Sequence, residues 1–209
     1  KQQSRQVGKF LMEIEFDEKH HSYKVDGVET PSVTTLQKFL HPDTYSGVPK
    51  RILERKAEYG DRVHQIVEDA ALKDVWPDMR EKSYEILSLQ RFKFLSEQHN
   101  IKITSCEKCI AYEHSGMYLY AGKYDMVGSV RDKQALIDIK TTEKLHTDLL
   151  GEQLTMYAMA IEQMTGVKLE SVYCLWLPKK GYGNFIEIPR MDEEKLIPRL
   201  LDAYTAYYS

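Results

Sequence analysis

The chain predicts a mixed α/β fold, α+β in arrangement, in which a central sheet is flanked by helices and preceded by an N-terminal hairpin and helical region. Three observations carry this. Two segments of helical period, residues 52–72 and 79–99, come first. Three runs rich in β-branched and aromatic residues follow at 101–112, 117–127 and 135–141, close enough together to form a meander. A helical segment at 148–164 then leads to a strand at 169–177. The right-handed crossover rule sets that strand parallel to its predecessor.

The remaining elements fit around this core. Residues 10–16 and 23–25 read as a small hairpin before Asp26-Gly27. Pro31-Ser32 opens a short helix, with Ser32 as its cap. A strand at 184–188 and a helix at 192–207 complete the order. On the helix over 79–99, the stripe Tyr84, Leu87, Arg91, Phe94 and Leu95 reads as core packing rather than as a base-stacking surface. With 209 residues the chain can bury one substantial core, so residues 1–209 are expected to form one domain. Within it, 1–99 supply the hairpin and helices, 100–190 the sheet core and 191–209 the last helix.

A net charge of −3 excludes the broad basic coat that drives non-specific nucleic-acid binding, although a cleft can still carry a local basic patch. Lys123, Lys140, Lys144, Lys179 and Lys180 are candidates for such a patch, while Lys179-Lys180-Gly181 also reads as a solvated hairpin turn. Neither a membrane-length apolar run nor a signal-peptide pattern is visible, so no membrane is expected and a cytoplasmic location is. Cys106, Cys109 and Cys174 read as reduced core thiols. Cys106 and Cys109 resemble a C-x-x-C pair, but their odd separation in a strand would send them to opposite faces.

The chemistry concentrates around Asp138-Ile139-Lys140. Acid-x-Lys triplets also occur at Asp17-Glu18-Lys19, Glu54-Arg55-Lys56 and Glu193-Glu194-Lys195, but those lie in polar, solvated settings. Only Asp138-Ile139-Lys140 sits in an apolar strand with an acid one hairpin upstream. If the intervening turn centres on Arg131 and Asp132, Asp125 falls opposite Ile137 or Asp138. Cross-strand neighbours lie roughly 5 Å apart, so the two carboxylates would repel unless a cation lies between them. Alternation sends Asp138 and Lys140 to one face and buries Ile139 behind them.

Other residues join by pattern. Glu107 falls on the face of Ile101, Ile103, Cys109 and Ala111, where it is either a third acid at the site or an edge-strand residue in water. Gly60, His64 and Glu68 recur at helical spacing, and His64 is either a ligand or a satisfied helical histidine. Gln153 and Tyr157 share a face with Leu150, Leu154 and Ile161, either as orienting groups or as packing.

Taken in order, Gly60-x-x-x-His64, Glu107, Asp125, Asp138-x-Lys140 and Gln153-x-x-x-Tyr157 resemble the PD-(D/E)XK nuclease superfamily, in particular its RecB-like exonuclease branch. Pro31 to Thr34 resembles the same proteins. The resemblance implies a restriction-endonuclease-like core and a Mg2+- or Mn2+-dependent deoxyribonuclease acting on linear DNA ends, single- or double-stranded, in phage or bacterial recombination and repair. It implies Asp125, Asp138, Lys140 and Glu107 as catalytic residues, and Asp125, Asp138, the Ile139 carbonyl and His64 around metal. Gln153, Tyr157, Lys123 and Lys144 would contact DNA or orient the site. A phage single-strand annealing protein and further copies of the chain, as a homo-oligomer, are the partners it brings into view. Several relatives carry an iron–sulfur cluster on four cysteines; with three, this chain is expected to have none. A site- or structure-specific endonuclease and an inactive nucleic-acid-binding member are the alternatives.

Overall fold

The computed structural model describes residues 12–44 and 47–209. Strands β1 (Ile14–Asp17), β2 (Ser22–Val25) and β3 (Val28–Thr30) form a small antiparallel sheet. The expected hairpin is therefore present from residue 12 onward; its start at residue 10 lies outside the described residues. Helix α1 (Val33–Leu40) begins as expected at Ser32, whose Oγ accepts the Thr35 N–H at 3.0 Å. Helices α2 (Lys50–Lys73) and α3 (Tyr84–His99) follow.

Strands β4 (Ile101–Cys106), β7 (Met126–Val130), β8 (Lys133–Lys140), β9 (Ser171–Trp176) and β10 (Asn184–Glu187) form the central sheet in the order β10-β9-β8-β7-β4. β9 pairs parallel to β8 and the other neighbours are antiparallel, as the crossover through α4 (Thr147–Thr165) requires. Helix α5 (Glu193–Tyr207) starts at Asp192, which caps the Glu194 N–H.

Two expected strands are each divided. The run over 101–112 splits into β4 and β5 (Cys109–His114), and the run over 117–127 into β6 (Met117–Lys123) and β7. β5 and β6 pair with each other in a separate two-stranded sheet. Both breaks fall at the same level: Glu107 N–H donates to the Asp125 carbonyl, and Tyr124 N–H to the Lys108 carbonyl. Glu107 takes a left-handed backbone, with φ of 52°. Periodicity is blind to such a corner, because the halves on either side are equally apolar. Cys106 consequently packs with the sheet core and Cys109 with the N-terminal sheet, so the two thiols are separated by the corner rather than by strand alternation.

The β7–β8 turn is the expected one. Arg131 and Asp132 both have positive φ, 51° and 66°, the requirement of a two-residue hairpin matched to strand twist. Val130 then faces Lys133, and Met126 faces Ile137. Farther along, β4 carries a bulge between Ile103 and Ser105. Gly128 makes that approach possible, since a Cβ there would lie 2.1 Å from the Lys102 carbonyl oxygen.

Two cores cover the central sheet. On one face Leu136, Val172 and Cys174 pack with α1, α4 and α5; on the other Ala135, Ile137, Ile139, Leu175 and Leu177 pack with α2 and α3. A third cluster joins Tyr23 and Val25 to Ala111 and Ala121, fastening the N-terminal sheet to β5 and β6. None of the described helices is long and apolar enough to cross a membrane.

Candidate active site

Continuing the β7–β8 register by one pair places Asp125 opposite Asp138, the closer of the two expected alignments. Asp125 sits just before β7, and its Oδ2 accepts the Ile139 N–H at 2.6 Å. Asp138 and Lys140 project from the same face of β8. Lys140 Nζ lies 3.0 Å from Asp138 Oδ1 and 2.7 Å from Oδ2. Oδ2 is nevertheless a buried oxygen with no well-directed hydrogen bond among the described residues. Ile139 is buried on the opposite face, as alternation requires.

From the other side of the sheet, α2 brings in His64. Its Nε2 lies 3.2 Å from the Ile139 carbonyl oxygen, which can only accept, so this nitrogen carries a proton. Nδ1 then faces Asp125 Oδ1 at 3.5 Å and Glu107 Oε1 at 3.9 Å. The Ile139 peptide is thus held on both sides: it donates to Asp125 and accepts from His64. Gly60, one turn earlier, comes close to Thr141; a Cβ there would lie 3.4 Å from Thr141 Oγ1.

Glu107 reaches the cluster through its left-handed corner. Its Oε2 lies 2.5 Å from Lys123 Nζ, and Lys123 also rests 5.5 Å from the Phe16 ring centroid. Lys144 differs: it is exposed in the loop before α4, and its carbonyl, not its ammonium, is engaged, by Thr142 Oγ1 at 2.8 Å. Gln153 and Tyr157 do come together on α4, one turn apart, with Tyr157 buried and Gln153 half-buried. Gly122 admits the Tyr157 ring, since a Cβ at that position would approach it to 2.7 Å.

The charges are strongly coupled. Burial by itself would lower the His64 pKa, but Asp125, Glu107 and Asp138 outweigh it and raise it to about 9. Without a metal, His64 is therefore an imidazolium clamped between carboxylates. Burial and the nearby Asp125 raise the Asp138 carboxyl, and Lys140 restrains the rise. Burial opposes ionisation of Glu107 too, yet the neighbouring His64 and Lys123 hold it below the usual carboxylate range. Tyr157 is pushed far up by burial, then by Asp125 and Asp138, and stays protonated.

His64, Glu107 and Asp125 present ligand atoms that all lie within 4.8 Å of one another. Because Nε2–H is held by the Ile139 carbonyl, loss of the other proton would turn a lone pair on Nδ1 toward the two carboxylates. Asp138 stands beside this trio with its orphaned buried oxygen. Hard carboxylate oxygens and one imidazole suit a divalent cation, so the residues fit such an ion.

Residues 34–201 match the PD-(D/E)XK nuclease superfamily. The chain belongs to this superfamily. Its members use divalent metals, in keeping with the acidic trio, and the nuclease fold implies DNA as substrate. No curated protein matches the chain. Among solved structures, the fold is similar to that of a protein from Eubacterium rectale named as a candidate exonuclease, at 15% identity over 85% of this chain and 82% of that one, with a TM-score of 0.51. A looser match is SSO0001, at 19% identity over 83% and 85% of the two chains and a TM-score of 0.40.

Two features of this nuclease site went unread in the sequence. Tyr23, buried on β2, stacks on Phe16 at 4.7 Å between centroids, and Phe16 supports Lys123 beside Glu107, so the N-terminal sheet walls the site. Its alternating neighbours signalled burial but not this location. Glu152, beside Gln153, is buried and paired with His41 at 3.1 Å and Arg199 at 3.0 Å. A glutamate within an apolar helix was the available signal for that network.

Proposed function

We propose that the chain is a Mg2+- or Mn2+-dependent deoxyribonuclease of the RecB-like branch, hydrolysing phosphodiester bonds from DNA ends in phage or bacterial recombination or repair. The observation that carries this reading is the Asp138–Lys140 pair standing against the His64–Glu107–Asp125 cluster. End-dependent cutting is the part of the reading that the RecB-like motif order favours.

Asp125, Glu107 and His64, with Asp138 turned toward them, would hold a divalent cation, which supplies Lewis acidity and neutralises phosphate charge. The chain's own groups do the rest. Lys140 Nζ would donate to a non-bridging phosphate oxygen and stabilise the charge that builds during attack. Glu107, kept ionised by Lys123, accepts a proton from the attacking water. A bond forms between the water oxygen and phosphorus as the bond to the 3′ oxygen breaks. That oxygen takes up a proton from solvent water, leaving a 5′-phosphate and a 3′-hydroxyl. Tyr157, whose hydroxyl stays neutral, would with Gln153 orient the site or the DNA backbone.

The test is cleavage of end-labelled linear DNA, single- and double-stranded, beside a covalently closed circle, in Mg2+, Mn2+ or EDTA, with Asp138→Ala as control. Metal-dependent loss of linear DNA with the circle spared is expected. Nicking or linearising of the circle would replace the exonuclease reading with an endonuclease, and no cleavage would leave a binding protein.

A further inference from the structure

The outer face of α3 is open and aromatic. Tyr84 is 46% exposed, Phe94 63% and Tyr182, on the β9–β10 loop, 94%. Two clefts of about 420 and 240 Å³ adjoin along this face and share Leu87 and Gln90. Tyr84 lines the first, and Phe94 and Tyr182 line the second. The stripe expected to be core is therefore core only at Leu95, with Leu87 and Arg91 half-buried.

The basic pair lies where a solvated turn is expected, exposed in the loop between the antiparallel β9 and β10, and from there Lys179 reaches back to two rings. Lys179 Nζ lies 5.1 Å from the Tyr59 ring centroid and 4.6 Å from that of Tyr84. Neither Lys179 nor Lys180 forms an ion pair among the described residues, although Glu85 lies near enough to feel Lys179. Arg91 donates to the Pro178 carbonyl at 2.6 Å and to the Gly181 carbonyl, bracing the loop that carries Tyr182. Of the acids on this face, Asp78 is paired with Arg80, Glu85 with Arg62 and Glu97 with Lys93. Glu81 is the remaining one, with Lys82 beside it. The ammonium groups of Lys179 and Lys180 are thus left to meet an external anion.

The strip begins beyond the same strand ends as the active site. β8 and β9 are parallel with Lys140 opposite Trp176, so Lys179 leaves the sheet at the edge where Lys140 stands. Tyr59 lies five residues before His64 on α2, about 7.5 Å along the helix axis.

We propose that Tyr84, Phe94 and Tyr182, with Lys179 and Lys180, form a track for single-stranded DNA leading to or from the active site, an inference that rests on the nuclease reading. Unpaired bases expose flat faces that stack on aromatic rings, and their phosphates need cations nearby. A duplex keeps its base faces internal and would engage the lysines alone. Spaced rings beside unpaired ammonium groups are therefore complementary to a single strand.

The experiment is fluorescence anisotropy in EDTA, with labelled oligothymidine of about fifteen nucleotides and the matching duplex. It compares the parent with Phe94→Ala/Tyr182→Ala and Lys179→Ala, and adds Tyr182→Phe as the ring-preserving control. Thermal unfolding checks that each variant folds. The double variant should bind the single strand about tenfold more weakly, the duplex within about twofold of the parent, and Tyr182→Phe should match the parent. Unchanged single-strand binding would overturn the track, as it would if the face served a protein partner instead. An equal loss on both DNAs would overturn it as well. Metal-dependent cleavage by the parent beside Asp138→Asn is measured separately: no cleavage with single-strand binding intact sinks the nuclease reading alone, whereas cleavage with unaltered variant binding sinks the track alone.

Discussion

Helices α3 and α4 pack on opposite faces of the same sheet, yet only α4 hides its apolar side chains. From Leu150 to Ile161 every residue of α4 except Gln153 is buried, because α1 and the β5–β6 sheet close over it beside the central sheet. Among the described residues, loop segments alone meet the outer face of α3, at Gln90 through Met79 and at Arg91 through the β9–β10 loop, and Tyr84 and Phe94 stand in solvent. A helix enclosed on both sides holds its polar residues rigidly, and that is how Gln153 and Tyr157 are presented to the acids. A helix covered on one side can offer aromatic rings to a ligand. The difference separates packing that positions chemistry from surface left open for binding.

The comparison can be broken most decisively at the chemistry walled by α4. Lys140→Ala should lower the rate of metal-dependent cleavage by about 10²–10³-fold, the usual cost of removing a group that stabilises developing charge. A parental rate would mean that the pair is an ordinary buried ion pair. Next in size is the contrast between the helices themselves. Leu154→Ala, fully buried on α4, should cost about 2–5 kcal/mol in urea unfolding. Phe94→Ala, on the open face of α3, should stay within about 0.5 kcal/mol. Equal losses would mean that α3 is as enclosed in solution as α4.

Gly122→Ala sharpens the α4 side more finely. The added methyl meets the Tyr157 ring at 2.7 Å, so overpacking of about 1–3 kcal/mol is expected. The same variant should cleave more slowly, because Tyr157 must shift. A pH-dependent effect of comparable size concerns His64, whose pKa is raised by folding. Such a group contributes its full stability below its ordinary value and loses that contribution as pH rises through the folded one. In EDTA, the parent should therefore lose stability relative to His64→Gln as pH rises from 6.5 toward about 9. Mn2+ affinity should climb over the same range in the parent, since the proton on Nδ1 competes with the cation, and should be flatter in His64→Gln. Parallel pH curves for the two proteins would remove His64 from the cluster.

Much of the site was legible because it depends on neighbours in the chain. A two-residue turn at Arg131-Asp132 sets Asp125 opposite Asp138, and alternation sets Lys140 beside Asp138. Helical spacing aligned Gly60 with His64 and Gln153 with Tyr157, and the β8–α4–β9 crossover followed from chirality. The strand boundaries were less legible. Apolar alternation runs through both corners, and nothing in it distinguishes a left-handed residue such as Glu107 from an extended one.

The sequence by itself determined which side of each strand or helix a residue occupies, since backbone geometry and turn type are local properties. The tertiary structure alone decided what covers each side. It brought Glu107, Lys123 and His64 to one point from three elements, set Tyr23 as a wall, and buried Glu152 with His41 and Arg199. It also left Tyr84 and Phe94 of an apparently core stripe in water. Burial is a relation between distant segments, and periodicity along one segment carries no information about whether another arrives to cover it.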